Sequence, residues 1–371
     1  MGSEIPSHQT IENWIELCGL NINRTACSNI KGDYALIFDE SITIGSQKLL
    51  LILGVPAEHL NHPLKHGEAQ ALGLYVSGYW KAEEVAKKIN EIIDTVGYAP
   101  KYVVSDEGHN LVKATRLEEL PHHKDIGHAL GNMLKHTFEK DDEFVALTKE
   151  MGKKRLSYHL TDKAYLLQPN MRSICRFMNC FEWVEWAYRI NHSTTLTEEE
   201  REAFSFVKDH SALVDELYDI MNTYRYVERE IKQHGLSYKT TKDCIDFILH
   251  GLVFGDQSRR KIVLGTKMCL YLLDEAKLLP DNKTAHQLSS DIIESKFGYY
   301  KGRKSPNNNN GVTSLSLLIP AHTKMCKENE DEYDYKQALE SVTIRELRDW
   351  RKQNLPANPV TLRIEKLCAN F

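Results

Sequence analysis

The sequence lacks a long apolar run, a CxxC pair, a strong excess of either charge and a basic-then-apolar opening. Each absence excludes something. A membrane-spanning helix needs about 20 apolar residues in a row. The longest run here, KLLLILGV at 48–55, is far shorter and reads as a buried strand. The eight cysteines (18, 27, 175, 180, 244, 269, 326, 368) show no paired spacing, which argues against a zinc site. In a chain of 371 residues they imply no disulfide framework and read as reduced thiols of a cytoplasmic protein. A net charge of −5 argues against a simple nucleic-acid coat protein. It leaves room for an enzyme acting on nucleic acid, in which a carboxylate cluster lowers the total. The polar N-terminus predicts no signal peptide. Met1-Gly2-Ser3 reads as a vector remnant, which leaves room for a native N-terminal region upstream.

What is present is ordinary globular material, 42% hydrophobic and 27% charged, long enough for two domains. Residues 7–20, SHQTIENWIELCGL, carry a helical pattern that Gly19 is placed to stop. This is either a linker helix packed on the next domain or the remnant of a helix-turn-helix. From 33 to 135 strands and helices alternate. Three strand-like runs (34–40, 42–55, 68–80) precede an amphipathic helix (81–97) that ends at a glycine. A short strand (101–106), a short helix (110–118), a fifth strand (122–128) and a helix (128–138) follow. The order βββαβαβα predicts an α/β fold with a mixed central sheet flanked by helices. Between 136 and 285 strand signals nearly vanish and helical patterns rich in Glu, Lys, Leu and Tyr take over. A helical pattern at 290–304, the low-complexity loop PNNNNG (306–311), an apolar helix from VTSLSLLIPA and a charged helical tail (332–371) complete the chain.

Two aspartates stand at strand ends. Asp39 closes YALIF, and Asp106 closes YVVS. If their strands are neighbours the carboxylates converge, and two converging acids require a shared proton or bound cations. Carboxylate-bridged Mg²⁺ ions suit phosphoryl transfer, one activating the attacking oxygen and one stabilising the leaving oxygen. Glu294, in SSDIIESKFGYYKGRK (289–304), is then either a third metal ligand or a solvated helix carboxylate.

These elements resemble the RNase H-like catalytic core of the DDE transposases of bacterial insertion sequences. VVSDEGHNLVKA (103–114) is similar to the family's second-aspartate motif. KDIGHALGNMLK (124–135) is similar to its (C/D)xxH element through Asp125 and His128, and DIIESKFGYYKGR (291–303) to the helix that brings the third acid. The spacing from Glu294 to Lys301 matches half of a Tyr-Arg-Glu-Lys signature. Gln287 and Ser290 stand where its Tyr and Arg would be.

The resemblance implies an RNase H-like mixed five-stranded sheet interrupted by a large all-α insertion domain. It implies an N-terminal helix (1–30), a catalytic core in two parts (31–135 and 286–330), an insertion domain (136–285) and a helical tail (331–371). It also implies an Mg²⁺-dependent enzyme, with Mn²⁺ as substitute. Asp39, Asp106 and Glu294 would be both catalytic residues and metal ligands, and DNA would be cut at element ends and joined to a target. Its partners would be DNA and further copies of itself, as a homodimer or higher assembly. It would work without a membrane, in the cytoplasm and on the nucleoid when DNA-bound. The alternatives are a domesticated DNA-binding descendant and an RNase H-like nuclease that cuts without joining.

Lys301, two turns beyond Glu294, reads as a phosphate contact, and Lys296, Arg303 and Lys304 extend that patch. The same residues also suit a basic helix C-terminus. His128 reads as a DNA contact or a structural histidine. Trp183 and Trp186 in FEWVEWAY read as base-stacking residues near the DNA end or as core. The basic clusters MGKKRLSYH (151–159) and SRRK (258–261) suit DNA-backbone contact or a solvated face.

Overall fold

The computed structural model describes residues 5–41, 43–169, 177, 180–255, 258–307, 311–325, 333–357 and 359–369. The chain divides into two compact units. The first comprises Met1–Asp125 and His286–Phe371, and the second Ile126–Ala285.

The first unit is built on five strands: β1 (Tyr34–Glu40), β2 (Lys48–Pro56), β3 (Gln70–Ser77), β4 (Val103–Ser105) and β5 (His122–Lys124). Their order across the sheet is β3-β2-β1-β4-β5. The first three pair antiparallel, and β4 runs parallel to both β1 and β5. The 42–55 run is shorter than its composition predicts, because Ile44 and Gln47 close a turn before β2.

Strand periodicity of two sorts the core into layers. Leu36, Phe38 and Val103 face α2 (Ala82–Val96) and α3 (His109–Leu117), packing on Ile89, Ile92 and Leu111. Ala35, Ile37, Tyr102 and Val104 face the other way. They pack with Ile292, Ile293, Phe297 and Tyr300 of α12 (Asp291–Lys301). Helix α2 ends at Gly97, whose φ of 92° is the left-handed conformation that glycine tolerates best.

Helix α1 (His8–Thr25) does not stop at Gly19. A Cβ there would collide with the backbone carbonyl of Leu317, so this glycine permits a close approach rather than ending a helix. Leu17 and Leu20 of α1 pack with Leu317, Val342, Leu347 and Trp350. The last two belong to α15 (Ile344–Asn354), which follows α13 (Leu318–Lys324) and α14 (Tyr335–Ser341) and precedes α16 (Pro359–Cys368). The N-terminal helix and the tail through α15 are thus packed parts of the sheet unit, whereas the described side chains of α16 are exposed.

The second unit is helical throughout its described residues: α4 (Ile126–Phe138), α5 (Asp142–Tyr158), α6 (Cys180–His192), α7 (Glu198–Ala203), α8 (Ser205–Asp209), α9 (Ser211–His234), α10 (Tyr238–Ile248) and α11 (Arg259–Ala276), with short 3₁₀ and π turns. Helix α4 belongs to it, so the helical unit begins at Ile126, ten residues before the composition changes.

Candidate active site

The register of β1 on β4 pairs Leu36 with Val103 and Ile37 with Val104. Carried forward, it sets Asp39 beside Asp106. Asp39 is in phase with Ala35 and Ile37, and Asp106 with Tyr102 and Val104, all of which face α12. The two aspartates therefore stand at the same end of adjacent parallel strands, on the face that carries Glu294.

Each carboxylate is held locally. Asp39 Oδ1 accepts the Glu40 amide at 2.7 Å, and Asp106 Oδ1 accepts the Gly108 amide at 2.8 Å. The neighbouring glutamates turn elsewhere. Glu40 pairs with Lys48 at 2.8 Å and Glu107 with Lys124 at 3.3 Å.

Glu294 is exposed on α12, and Lys301 lies half-buried two turns on, its ammonium 5.4 Å from the Phe297 ring centre. Burial pushes Lys301 below the usual lysine range, while Asp39 and Glu294 both pull the other way. The same ammonium thus lies within electrostatic reach of one acid from the sheet and one from the helix. His122, on β5, is lowered to about 4 by burial, with Asp106 opposing the shift. It shares a hydrogen bond of 2.9 Å with Ser105.

An oxygen-only set of donors suits a hard divalent cation such as Mg²⁺ or Mn²⁺. Asp39 and Asp106 are the carboxylates that could offer such donors from the sheet. Among the described residues, however, no three His, Cys, Asp or Glu side chains stand together as a metal-holding group.

The basic patch expected beyond Glu294 divides. Lys301, Arg303 and Lys304 lie toward the solvent side, and the Arg303 guanidinium stacks 3.6 Å over the Tyr299 ring. Lys296 does not join them. It is 0% exposed, and its ammonium donates to the His66 carbonyl at 3.3 Å. The spacing that buries Ile292, Ile293, Phe297 and Tyr300 buries Lys296 as well.

Trp183 and Trp186 are core, at 1% and 8% exposed, so the base-stacking role has no accessible ring to rest on. Trp183 meets Phe144 edge-on at 5.7 Å, and the Trp186 indole donates to the Leu166 carbonyl at 2.8 Å. His128 is half-buried on the first turn of α4, in the helical unit. Within the SRRK cluster Arg260 and Lys261 are committed internally, Arg260 to Glu216 and Asp141 and Lys261 to Asp219 at 2.9 Å, while Arg259 is exposed.

The returning segment 286–290 is more ordered by the sheet than its sequence announces. Gln287 donates its amide to the Tyr102 hydroxyl at 2.8 Å, and His286 stacks on the Tyr102 ring at 4.0 Å. His286 and His123 share a hydrogen bond of 2.9 Å. Ser290 donates both its amide and its hydroxyl to Asp125. Only long-range contacts reveal these roles; the Asp125–His128 spacing was the one local signal. No known family model and no curated protein matches the chain.

Proposed function

We propose that this chain is a DNA transposase of the DDE type, built on an RNase H-like core. It would use divalent metal to cut phosphodiester bonds at element ends and join the 3′-hydroxyl to target DNA. The observation that carries this reading is the convergence at one sheet end. Two aspartates finish adjacent parallel strands on the face covered by the helix that bears Glu294. The strand order β3-β2-β1-β4-β5, with a helical unit inserted between β5 and α12, supports the same reading.

In this scheme Asp39 and Asp106 hold the metal from the sheet and Glu294 completes the set from α12. When bound, Mg²⁺ or Mn²⁺ supplies Lewis-acid activation of the attacking and leaving oxygens. Lys301 neutralises the carboxylates in the absence of metal and offers a point charge to a DNA phosphate. Arg303 and Lys304 extend the phosphate contact. Two element ends call for two copies of the chain, as a homodimer or larger assembly on DNA. No described helix is long and apolar enough to cross a membrane.

A second reading is a DNA-binding descendant that no longer cuts, against which the presence of all three acids counts. The deciding experiment incubates the protein with Mn²⁺ or Mg²⁺ and labelled duplexes covering the DNA on either side of its gene. Glu294→Gln is run beside it. Cleavage and joining that vanish in Glu294→Gln while DNA binding persists establish the transposase. Cleavage without joining points to a nuclease, and binding without chemistry in either protein points to the descendant.

A further inference from the structure

Asp125 is a carboxylate at 1% exposure, and a buried carboxylate requires partners. Its partners are specific. Asp125 Oδ2 accepts the Ser290 amide at 2.6 Å and the Ser290 hydroxyl at 2.9 Å. Ser290 is the N-cap of α12, where unpaired amides and the helix dipole favour a negative charge. The Asp125 backbone amide donates in turn to the Ser105 carbonyl at 2.9 Å. Ser105 is the residue immediately before Asp106. One buried residue therefore joins, through its backbone amide, the strand end that bears the second aspartate and, through its carboxylate, the start of the helix that bears Glu294, 165 positions away in sequence.

We propose that Asp125 is a positioning residue, setting α12 and hence Glu294 in place over the end of the sheet. The proposal rests, for its catalytic consequence, on the transposase reading above. The physical logic is that α12 has no covalent neighbour in the sheet. The chain reaches it only after passing through the whole helical unit, so the placement of Glu294 against Asp39 and Asp106 depends on non-covalent contacts. The apolar contacts of Ile293, Phe297 and Tyr300 hold the helix to the sheet but tolerate sliding. The two charge-assisted hydrogen bonds fix its first turn. Misplacing a reacting group by about 1 Å can cost on the order of 10²-fold in rate. The Tyr102 hydroxyl bond to Gln287 and the His123–His286 bond brace the same segment but leave the helix cap itself to Asp125.

The test uses the full chain with Asp125→Ala, Asp125→Asn and Ser290→Ala. Amide exchange is read first, since it needs no activity. In Asp125→Ala the first turn of α12 is expected to exchange at least about 10-fold faster, with α2 unchanged, and Ser290→Ala gives the same pattern more weakly. Cleavage is read second. Asp125→Ala is expected to lower the turnover rate about 10²-fold with DNA affinity within about twofold of wild type, and to need more Mn²⁺ for half-maximal rate. Asp125→Asn, which keeps an acceptor oxygen for Ser290, is expected to recover most of that loss. Unchanged exchange in α12, or a rate loss matched by an equal loss of DNA affinity, overturns the proposal. If Asp125→Ala does not fold, Ser290→Ala decides alone by the same two readouts. If α12 loosens in the variants but wild type cuts no DNA, the transposase reading falls while the positioning of α12 stands.

Discussion

Two clusters in this molecule set a single cation among acidic groups, one in each unit, and they behave oppositely. In the helical unit Arg260 meets Glu216 through two nitrogens, Asp141 at 2.7 Å and Glu143 at 3.8 Å. Hydrogen bonding to Glu216 outweighs desolvation, and the guanidinium is held above its usual range. In the sheet unit Lys301 faces Asp39 and Glu294, yet desolvation wins and its affinity for a proton falls. Geometry explains the difference. A planar fork satisfies several carboxylates at once, whereas the ammonium acts on its acids through space. The first arrangement holds a fold together. In the second the cation acts on Asp39 and Glu294 through space, without the direct hydrogen bonds of the fork.

Neutralising acids in each cluster tests this contrast most strongly. On the proposed function, Asp39→Asn or Asp106→Asn is expected to lower metal-dependent cleavage by at least about 10³-fold, roughly 4 kcal/mol of transition-state stabilisation, while leaving resistance to urea unchanged or higher. Loss of stability comparable to the loss of activity would mean that the sheet-end acids are structural after all. The complementary change, Arg260→Met, removes the cation shared by Glu216 and Asp141, leaving them the Ser258 hydroxyl and the Phe144 amide, and should destabilise the helical unit by about 3 kcal/mol in urea denaturation. A neutral outcome there would erase the distinction between the clusters.

How far the sequence announced these two sites differs in an instructive way. Asp39 and Asp106 were legible because a strand's alternation is local: a carboxylate closing an apolar run lands on a defined face of a sheet. The helical unit was legible as a class from composition, but its ion pairs were not, since Arg260 and Glu216 sit far apart in the chain. Lys296 carried its own signal, in phase with Ile293 and Tyr300, and charge misdirected the reading toward solvent. Trp183 and Trp186 show the same lesson from the apolar side, because aromatic residues at helical spacing are buried by their own helix's packing. Gly19 read as a stop because a helix end and a close backbone approach both select glycine. The bonds from Asp125 to Ser290 had no local signature, since the partner lies beyond the entire helical unit.

Acid separates the units by a smaller amount. Burial lowers His123 to about 4, so the folded state keeps it neutral where the unfolded chain binds a proton. Its contribution is fully present above the ordinary histidine value and is lost as pH falls from about 6.5 toward 4. Between pH 7 and pH 5 one such histidine removes about 2 kcal/mol from the sheet unit. Arg260 stays charged throughout that window. Amide exchange at pH 7 and pH 5, corrected for intrinsic rates, should therefore show β4 and β5 loosening before α9 and α11. Equal loosening of both would indicate that the buried His122 and His123 do not control acid sensitivity.

The smallest effect is the most discriminating. Lys301→Met removes the cation but keeps the length and packing of the side chain against Phe297. Because Lys301 is partly desolvated and acts on both acids through space, its loss should change unfolding free energy by less than about 1 kcal/mol. The same change at Arg260 costs several times more. What Lys301→Met should alter is competition. With the ammonium gone, Asp39 and Glu294 have one fewer positive charge to satisfy them, and Mn²⁺ should bind about threefold more tightly, measured by water-proton relaxation in the absence of DNA. DNA affinity should fall slightly over the same substitution, since a phosphate contact is lost. Weaker Mn²⁺ binding in Lys301→Met would mean that the lysine orders the carboxylates instead of competing for them, and the two clusters would then differ in strength alone.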